Sequence, residues 1–200
     1  ERDYLYGPLY LEAEAPTYEQ ARDAIVAAVQ ILNRDFHIPL SAIKCFYSGR
    51  RSPWVLSEPG VFGVLPSAHL HQVYRSMVED LVARLGPQHR GHDGTSFIDT
   101  KIYSWMRLRR AVNSRHPQTD LFAIPLRWSE LTSLSGDQVR AMATGPRFMV
   151  WDYAGVQEIP AAATWYTYHV NKCWQQRKRS ELEAERRRRR ALRYFVGLRK

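Results

Sequence analysis

Apolar and polar residues alternate with a period of two near the start of the chain. Leu9, Leu11 and Ala13 share one face and Tyr10, Glu12 and Glu14 the other, the pattern of a short half-buried strand. Pro16 breaks that pattern and Thr17 is placed to cap a helix immediately after it. Tyr18, Ala21, Ile25, Ala28, Val29, Leu32 and Phe36 then recur at helical spacing, predicting an amphipathic helix of about five turns that ends at Ile38-Pro39. Ala42 to Ser48 reads as a second strand, Ser48-Gly49-Arg50-Arg51-Ser52-Pro53 as a turn, and Trp54-Val55-Leu56 as a strand paired back onto the second. Strand, crossover helix, strand and return strand together make the beginning of a split βαβ arrangement.

Pro66-Ser67 opens a second helix whose core stripe is Leu70, Tyr74, Met77, Leu81 and Leu85, and Gly86 to Thr95 is a loop. Phe97 to Tyr103 is strand-like, with Phe97, Asp99, Lys101 and Tyr103 on one side. Arg107 to Ser114 and Leu121 to Leu126 predict two more strands joined by a turn at His116-Pro117. Trp128 to Ala143 reads as one helix, broken by Gly145-Pro146-Arg147, and Phe148 to Trp151 as a short strand or extended piece. From Pro160 the chain is helical almost to its end, and Trp165, Tyr166, Tyr168 and Trp174 are candidates to dock the first half of that helix. The expected fold class is α+β, with a core over 1–160 and a basic C-terminal helix or linker over 161–200.

Charge sharpens this division. The chain carries a net +9, and Lys172 to Lys200 alone hold twelve basic residues against three Glu. The other seventeen basic and seventeen acidic residues cancel, so the basic character belongs to the C-terminal segment, with Arg186, Arg187, Arg188, Arg189 and Arg190 at its centre. Such a segment suits a phosphate backbone or an acidic partner, against the plainer alternative of a solvated helix. No apolar run approaches the ~20 residues that span a bilayer, so no membrane partner is expected. Glu1-Arg2-Asp3 lacks the apolar stretch of a secretory signal, and Cys45 and Cys173 stand far apart in unlike contexts. Both observations predict free thiols in a reducing cytoplasm.

Three constellations carry candidate chemistry. Glu12 and Glu14 on one strand and Asp99 on another supply oxygen ligands suited to a pair of Mg²⁺ or Mn²⁺ ions; the alternative is an ordinary solvated strand face. Ser48-Gly49-Arg50-Arg51, a Gly turn with one hydroxyl and two guanidiniums, is suited to cupping a phosphate, against a surface turn with solvated arginines. Arg107, Arg109, Arg110, Asn113, Ser114 and His116 would line a strand facing nucleotide or template phosphates, against an edge strand protected by charge. His69 and His71 do not share a helical face, and His89 and His92 lack paired cysteines, so no zinc is expected. No Walker-type loop or nucleophile elbow occurs.

Taken in order, these pieces resemble the archaeo-eukaryotic primase superfamily, the primase-polymerases of plasmids, phages and mobile elements. The resemblance rests on Leu11-Glu12-Ala13-Glu14, Tyr47-Ser48-Gly49-Arg50-Arg51, Ile98-Asp99, Arg107 through Asn113-Ser114-Arg115-His116, and Thr119-Asp120-Leu121-Phe122-Ala123-Ile124-Pro125-Leu126. It covers about Leu5 to Arg147. It implies a catalytic core with an RRM-like half that extends DNA strands from nucleoside triphosphates using two divalent ions, Mg or Mn. Glu12, Glu14 and Asp99 would be the catalytic metal ligands. Ser48, Gly49, Arg50, Arg51, Arg107, Arg110 and Asn113 would contact nucleotide or phosphate, and a helicase or other replication protein would be fused or associated. Two departures stand out. Both positions of the first motif are Glu where the family has at least one Asp. The second motif reads Ser52-Pro53-Trp54 where the family has a triphosphate-contacting His, and an indole N–H is a single neutral donor. Trp54 therefore either stacks on a base or fills core. These departures motivate a second reading, a primase-fold module that has lost catalysis and binds nucleic acid or a replication or defence partner; a third is a pure protein scaffold.

Overall fold

The computed structural model describes residues 4–103, 110–151 and 157–197, with side chains up to Arg188 in the last segment. The fold is mixed α+β, a four-stranded antiparallel sheet with five α-helices among the described residues. In chain order the elements are β1 (Leu9–Glu12), α1 (Tyr18–Phe36), β2 (Ile43–Tyr47), β3 (Pro53–Ser57), α2 (Leu70–Arg84), β4 (Ile124–Leu126), α3 (Trp128–Ser133), α4 (Gly136–Met142) and α5 (Pro160–Gly197).

The sheet order is β1-β3-β2-β4. β3 lies antiparallel between β1 and β2, which therefore run in the same direction and are joined across it by α1, the split βαβ expected from the pattern. The outer side of β1 is also paired: Ala13 bridges Ile98, with Glu14 N–H donating to Phe97 O at 2.8 Å and Asp99 N–H to Glu12 O at 2.9 Å. Leu9, Leu11 and Ala13 are buried and join Ala21, Ile25, Ala28 and Leu32 of α1 and Met77 and Leu81 of α2 in one core. Thr17 caps α1 through a reciprocal capping box with Gln20, and the helix closes on His37 in the left-handed region, φ 58°.

The other face of the sheet is covered as well, which is why every residue of β2 is buried. Trp54 stacks on Phe46 at 3.9 Å between ring centroids, Tyr10 tilts against Trp54 at 5.4 Å, and Trp151 against Phe46 at 5.8 Å. Of the two roles open to Trp54, core is the one observed, since only 5% of it is exposed. Lys44, on the same face, is buried in an ion pair with Glu58.

Several expected elements differ. The stretch read as one helix over Trp128–Ala143 is two, because Ser135 starts a new helix with its own capping box to Gln138. α1 holds the junction: Arg22 donates to Leu134 O at 3.2 Å and Glu19 accepts from Gly136 N–H at 2.8 Å. Of the strand expected over 107–114, residues 107–109 lie outside the described residues, and 110–114 form a turn instead. Asn113 there is left-handed, φ 62°, and Ser114 N–H donates to Ala111 O. The strand expected over Phe97–Tyr103 contracts to the bridge at Ile98, since Lys101 N–H donates to the Asp99 carboxylate and turns the chain away. β4 is shorter than expected, α2 begins at Leu70 rather than Pro66, and Phe148–Trp151 forms no strand.

α5 docks on α2 through its first turns. Trp165 stacks on Phe36 at 4.0 Å and donates from its indole to Asp80 at 2.9 Å, and Tyr166 is buried beside it. Tyr168 and Trp174, expected to dock, are 61% and 62% exposed. At 38 residues the helix is about 57 Å long, so its basic half extends beyond the body. No described helix is long and apolar enough to cross a membrane. Cys45 and Cys173 are free, and burial pushes the Cys45 thiol up to about 12.

His169, on α5, is fully buried against α2, 2.9 Å from the Ser76 hydroxyl, and burial holds its pKa below the ordinary 6.5. The unfolded chain therefore takes up this proton first on acidification. The contribution of neutral His169 is complete above about pH 6.5 and is lost as pH falls towards the lower folded value. Urea unfolding as a function of pH should show an acid limb that His169→Asn makes shallower by at most one proton, about 1.4 kcal/mol per pH unit. An unchanged limb would contradict this role.

Candidate functional site

A cleft of ≈ 350 Å³ runs along β1 and the Leu5–Pro8 segment before it. Three of the candidate residues, Glu12, Ser48 and Arg110, line it, although they come from β1, the β2–β3 turn and the segment entering the 113–121 loop. Its walls include Tyr10, Trp54, His71, Tyr74 and Tyr103. The tyrosines are tied to backbone or to the site: Tyr74 donates to Gly7 O at 2.6 Å, Tyr103 to Tyr10 O, and Tyr10 to Glu12 Oε2 at 2.8 Å. Burial first, then His69 and Arg75, holds the His71 pKa below its usual value, so its imidazole is neutral at pH 7.

The Ser48 turn is built from its own hydroxyl. Ser48 Oγ accepts from Ser52 N–H at 3.2 Å and Arg50 N–H at 3.4 Å, while Ser48 N–H donates to Ser52 O at 2.9 Å. That leaves the hydroxyl proton available to a ligand. Gly49 has φ +86°, and a Cβ there would sit 2.8 Å from Leu121 O. Glycine is thus required both by conformation and by contact. Thr119 Oγ1 donates to Gly49 O at 2.5 Å, clamping the turn against the 113–121 loop. Arg50 and Arg51 are exposed on the outside of the turn.

The three carboxylates share a backbone neighbourhood without forming a cluster. Pairing of Ala13 with Ile98 sets Glu12 opposite Asp99 and Glu14 opposite Phe97, with Glu12, Glu14 and Asp99 all on the face away from the core. The side chains then diverge. Glu12 lines the cleft above and accepts from Tyr10, whereas Glu14 and Asp99 line a neighbouring recess with Glu79, Arg90 and Lys101. Asp99 accepts from Lys101 N–H at 2.7 Å. Among the described residues no group of three or more His, Cys, Asp or Glu gathers where it could hold a metal. The backbone register therefore fits a carboxylate pair around a divalent ion, and the side-chain arrangement does not supply the set of three.

Asn113 is drawn off to another task. Its Oδ1 accepts from Arg147 N–H at 2.8 Å and its own N–H donates to Ala123 O at 2.6 Å, so it ties the Arg147–Trp151 segment to the body and lines a separate recess beside Trp151. Arg147 is itself fixed by a bidentate pair with Glu130 at 2.7 and 2.8 Å, which holds the Glu130 carboxyl below its usual range. Arg107 lies outside the described residues. Arg186, Arg187 and Arg188 are exposed on the free half of α5; Arg189 and Arg190 continue that helix, with side chains outside the described set.

Apolar spacing does not reveal the aromatic walls. Tyr74 falls in the core stripe of α2 by spacing, and only its hydroxyl end shows the second role. Tyr103 shares a face with Asp99 by alternation, which is the one signal the sequence offers. A scan against protein-family models, a search of curated proteins and a search of solved structures each find no match to this chain.

Strain at the turn is open to direct measurement. Gly49→Ala should destabilise the fold by about 1–3 kcal/mol in urea unfolding, because it combines an unfavourable φ with a backbone clash. A change near zero would mean the turn relaxes freely.

Proposed function

We propose that this chain is a primase-polymerase-like core that binds a nucleoside triphosphate in the Glu12–Ser48–Arg110 cleft and transfers its nucleotidyl group to a DNA strand. The observation that carries the reading is the convergence of those three residues, distant in sequence and singled out by chemistry, on one aromatic-walled cleft. The Ser48 hydroxyl and the Arg110 guanidinium supply donors for phosphate oxygens. Tyrosine faces give a base an apolar surface with sequence-tolerant stacking. The Tyr10 hydroxyl orients the Glu12 carboxylate, and Asp99 stands opposite it in backbone register, with its side chain in the neighbouring recess. Glu14 follows on the same face. When bound, Mg²⁺ or Mn²⁺ would stabilise the attacking and leaving oxygens of an in-line displacement, with Glu12 and Asp99 as its holders and Glu14 as the third carboxylate of the resemblance. The exposed basic half of α5 supplies sequence-independent attraction for a DNA backbone.

A second reading is favoured by one specific observation: the Glu12 and Asp99 carboxylates already accept hydrogen bonds from Tyr10 and from Lys101 N–H. On that reading the fold binds nucleic acid without catalysis. Primer synthesis and extension with Mg²⁺ or Mn²⁺ separates the two. Catalysis predicts incorporation by the wild type that falls about 10²-fold or more in Glu12→Ala/Glu14→Ala and in Asp99→Ala. Salt-dependent DNA binding by all forms, with no incorporation by any, would establish the binding module instead. Equal incorporation by wild type and variants would remove the catalytic role of these carboxylates.

A further inference from the structure

Phe148 and Val150 are 87% and 98% exposed, more than any other large apolar side chain among the described residues. Their neighbours alternate with them. Arg147, Met149 and Trp151 are half-buried, so burial here has the period of two that an extended backbone gives. The inward residues are fixed to the body. Arg147 grips Glu130 and donates its N–H to Asn113 Oδ1, and Trp151 lies against Phe46 at 5.8 Å. Met149 lines a recess of ≈ 330 Å³ with Leu56, Val112 and Pro125. The backbone between these anchors is unpaired: among the described residues, no N–H or C=O of residues 148–151 takes part in a hydrogen bond. A charge or a proline usually stops such an edge from pairing with another chain. Phe148-Met149-Val150-Trp151 has neither, and its aromatic and β-branched side chains favour a strand.

We propose that this edge pairs with the same edge of a second copy of the chain, as a two-fold antiparallel strand pair centred on Met149. The occupant follows from what the edge requires: uncharged extended backbone, its own polar groups unpaired, with large apolar side chains on the outward face. The chain carries such a segment at this very place, and a two-fold axis lets each copy meet the other's need with the same residues. With Met149 on the axis, Phe148 of each copy faces Val150 of the other on the outward side, an aromatic–β-branched pair formed twice. Arg147, the charge next to the segment, falls opposite Trp151 and is already neutralised by Glu130, so no like charges meet across the axis. Four residues from each copy bury less than the roughly 1,200 Å² of a stable dimer, which makes the pair a weak one, formed at micromolar concentrations or above. The net charge of +9 opposes it and is screened by salt. The pairing is independent of the nucleotidyl-transfer reading.

The test is sedimentation velocity of the full, nuclease-treated chain from about 5 to about 500 μM in about 0.5 M salt, which separates copies merely bridged by nucleic acid on the basic helix. Hydrogen exchange of the 148–151 amides is read at both ends of that range. Pairing gives a mass that rises with concentration from that of one chain towards that of two and stops there, with amide protection that grows in step. Val150→Lys, in solvent in the single chain, should weaken association about tenfold or more, while Val150→Ile keeps it within about twofold. Thermal melts check each variant, and Phe148→Lys repeats the test should Val150→Lys melt early. A chain that stays monomeric at about 500 μM would overturn the proposal. So would association that both Lys variants leave within about twofold of wild type, which would place the contact on another surface. Amides equally protected at about 5 μM would mean that another part of the same chain covers the edge, and growth past the dimer would mean an open stack; either result also overturns the two-fold pair.

Discussion

The site depends on the register of β1. Leu9 and Leu11 are within 1% of complete burial against α1 and α2, and each such side chain contributes roughly 1.5–3 kcal/mol by leaving water. Sliding β1 by one residue would expose both, and would turn Glu12 into the core where an unpaired carboxylate is costlier still. Against a typical net stability of about 5–15 kcal/mol, that slip is prohibitive. Two neighbours pin the same register from opposite sides, β3 through Val55 and Ser57 and the 97–99 segment through Ile98. The apolar face thus dictates where the acids stand, and Glu12 opposite Asp99 follows from packing alone.

The second face of the sheet fixes the remainder of the cleft. Trp54 between Tyr10 and Phe46 is a buried aromatic row, worth about 0.5–1.5 kcal/mol per pair beyond its area, and it leaves no room for a charged group at that position. Contacts to the β2–β3 turn come instead from beside the sheet. The loop over 113–121 lies there, pressed onto Gly49 and clamped by Thr119.

Much of this is legible in the pattern of the chain. The period-two face of β1, the long stripe of α1 and the split βαβ follow from apolar spacing, because each buries a continuous surface whatever the remote contacts. The segment beyond Phe97 is less legible for physical reasons. Asp99 and Asn113 use their side chains on backbone N–H groups, stopping extended structure where alternation alone would continue it. The break at Ser135 is a capping box, visible in the residues but masked by the apolar spacing on either side. Of the candidate site, Glu12, Ser48 and Arg110 converge, Asn113 serves another segment, and Glu14 with Asp99 lines the recess next door. No pattern in one dimension distinguishes two adjacent recesses, since that depends on χ angles and on Tyr10 and Lys101 as partners.

The most direct measurement is a crystal of the full chain soaked with Mn²⁺ and a non-hydrolysable nucleoside triphosphate, with anomalous differences recorded for the metal. A Mn²⁺ peak is expected at about 2.2 Å from carboxylate oxygens of Glu12 and Asp99, with the phosphates against the Ser48 turn and Arg110. Nucleotide bound elsewhere, or a cleft in which Glu12 stays on Tyr10 and Asp99 on Lys101 with no metal between them at saturating Mn²⁺, would contradict it.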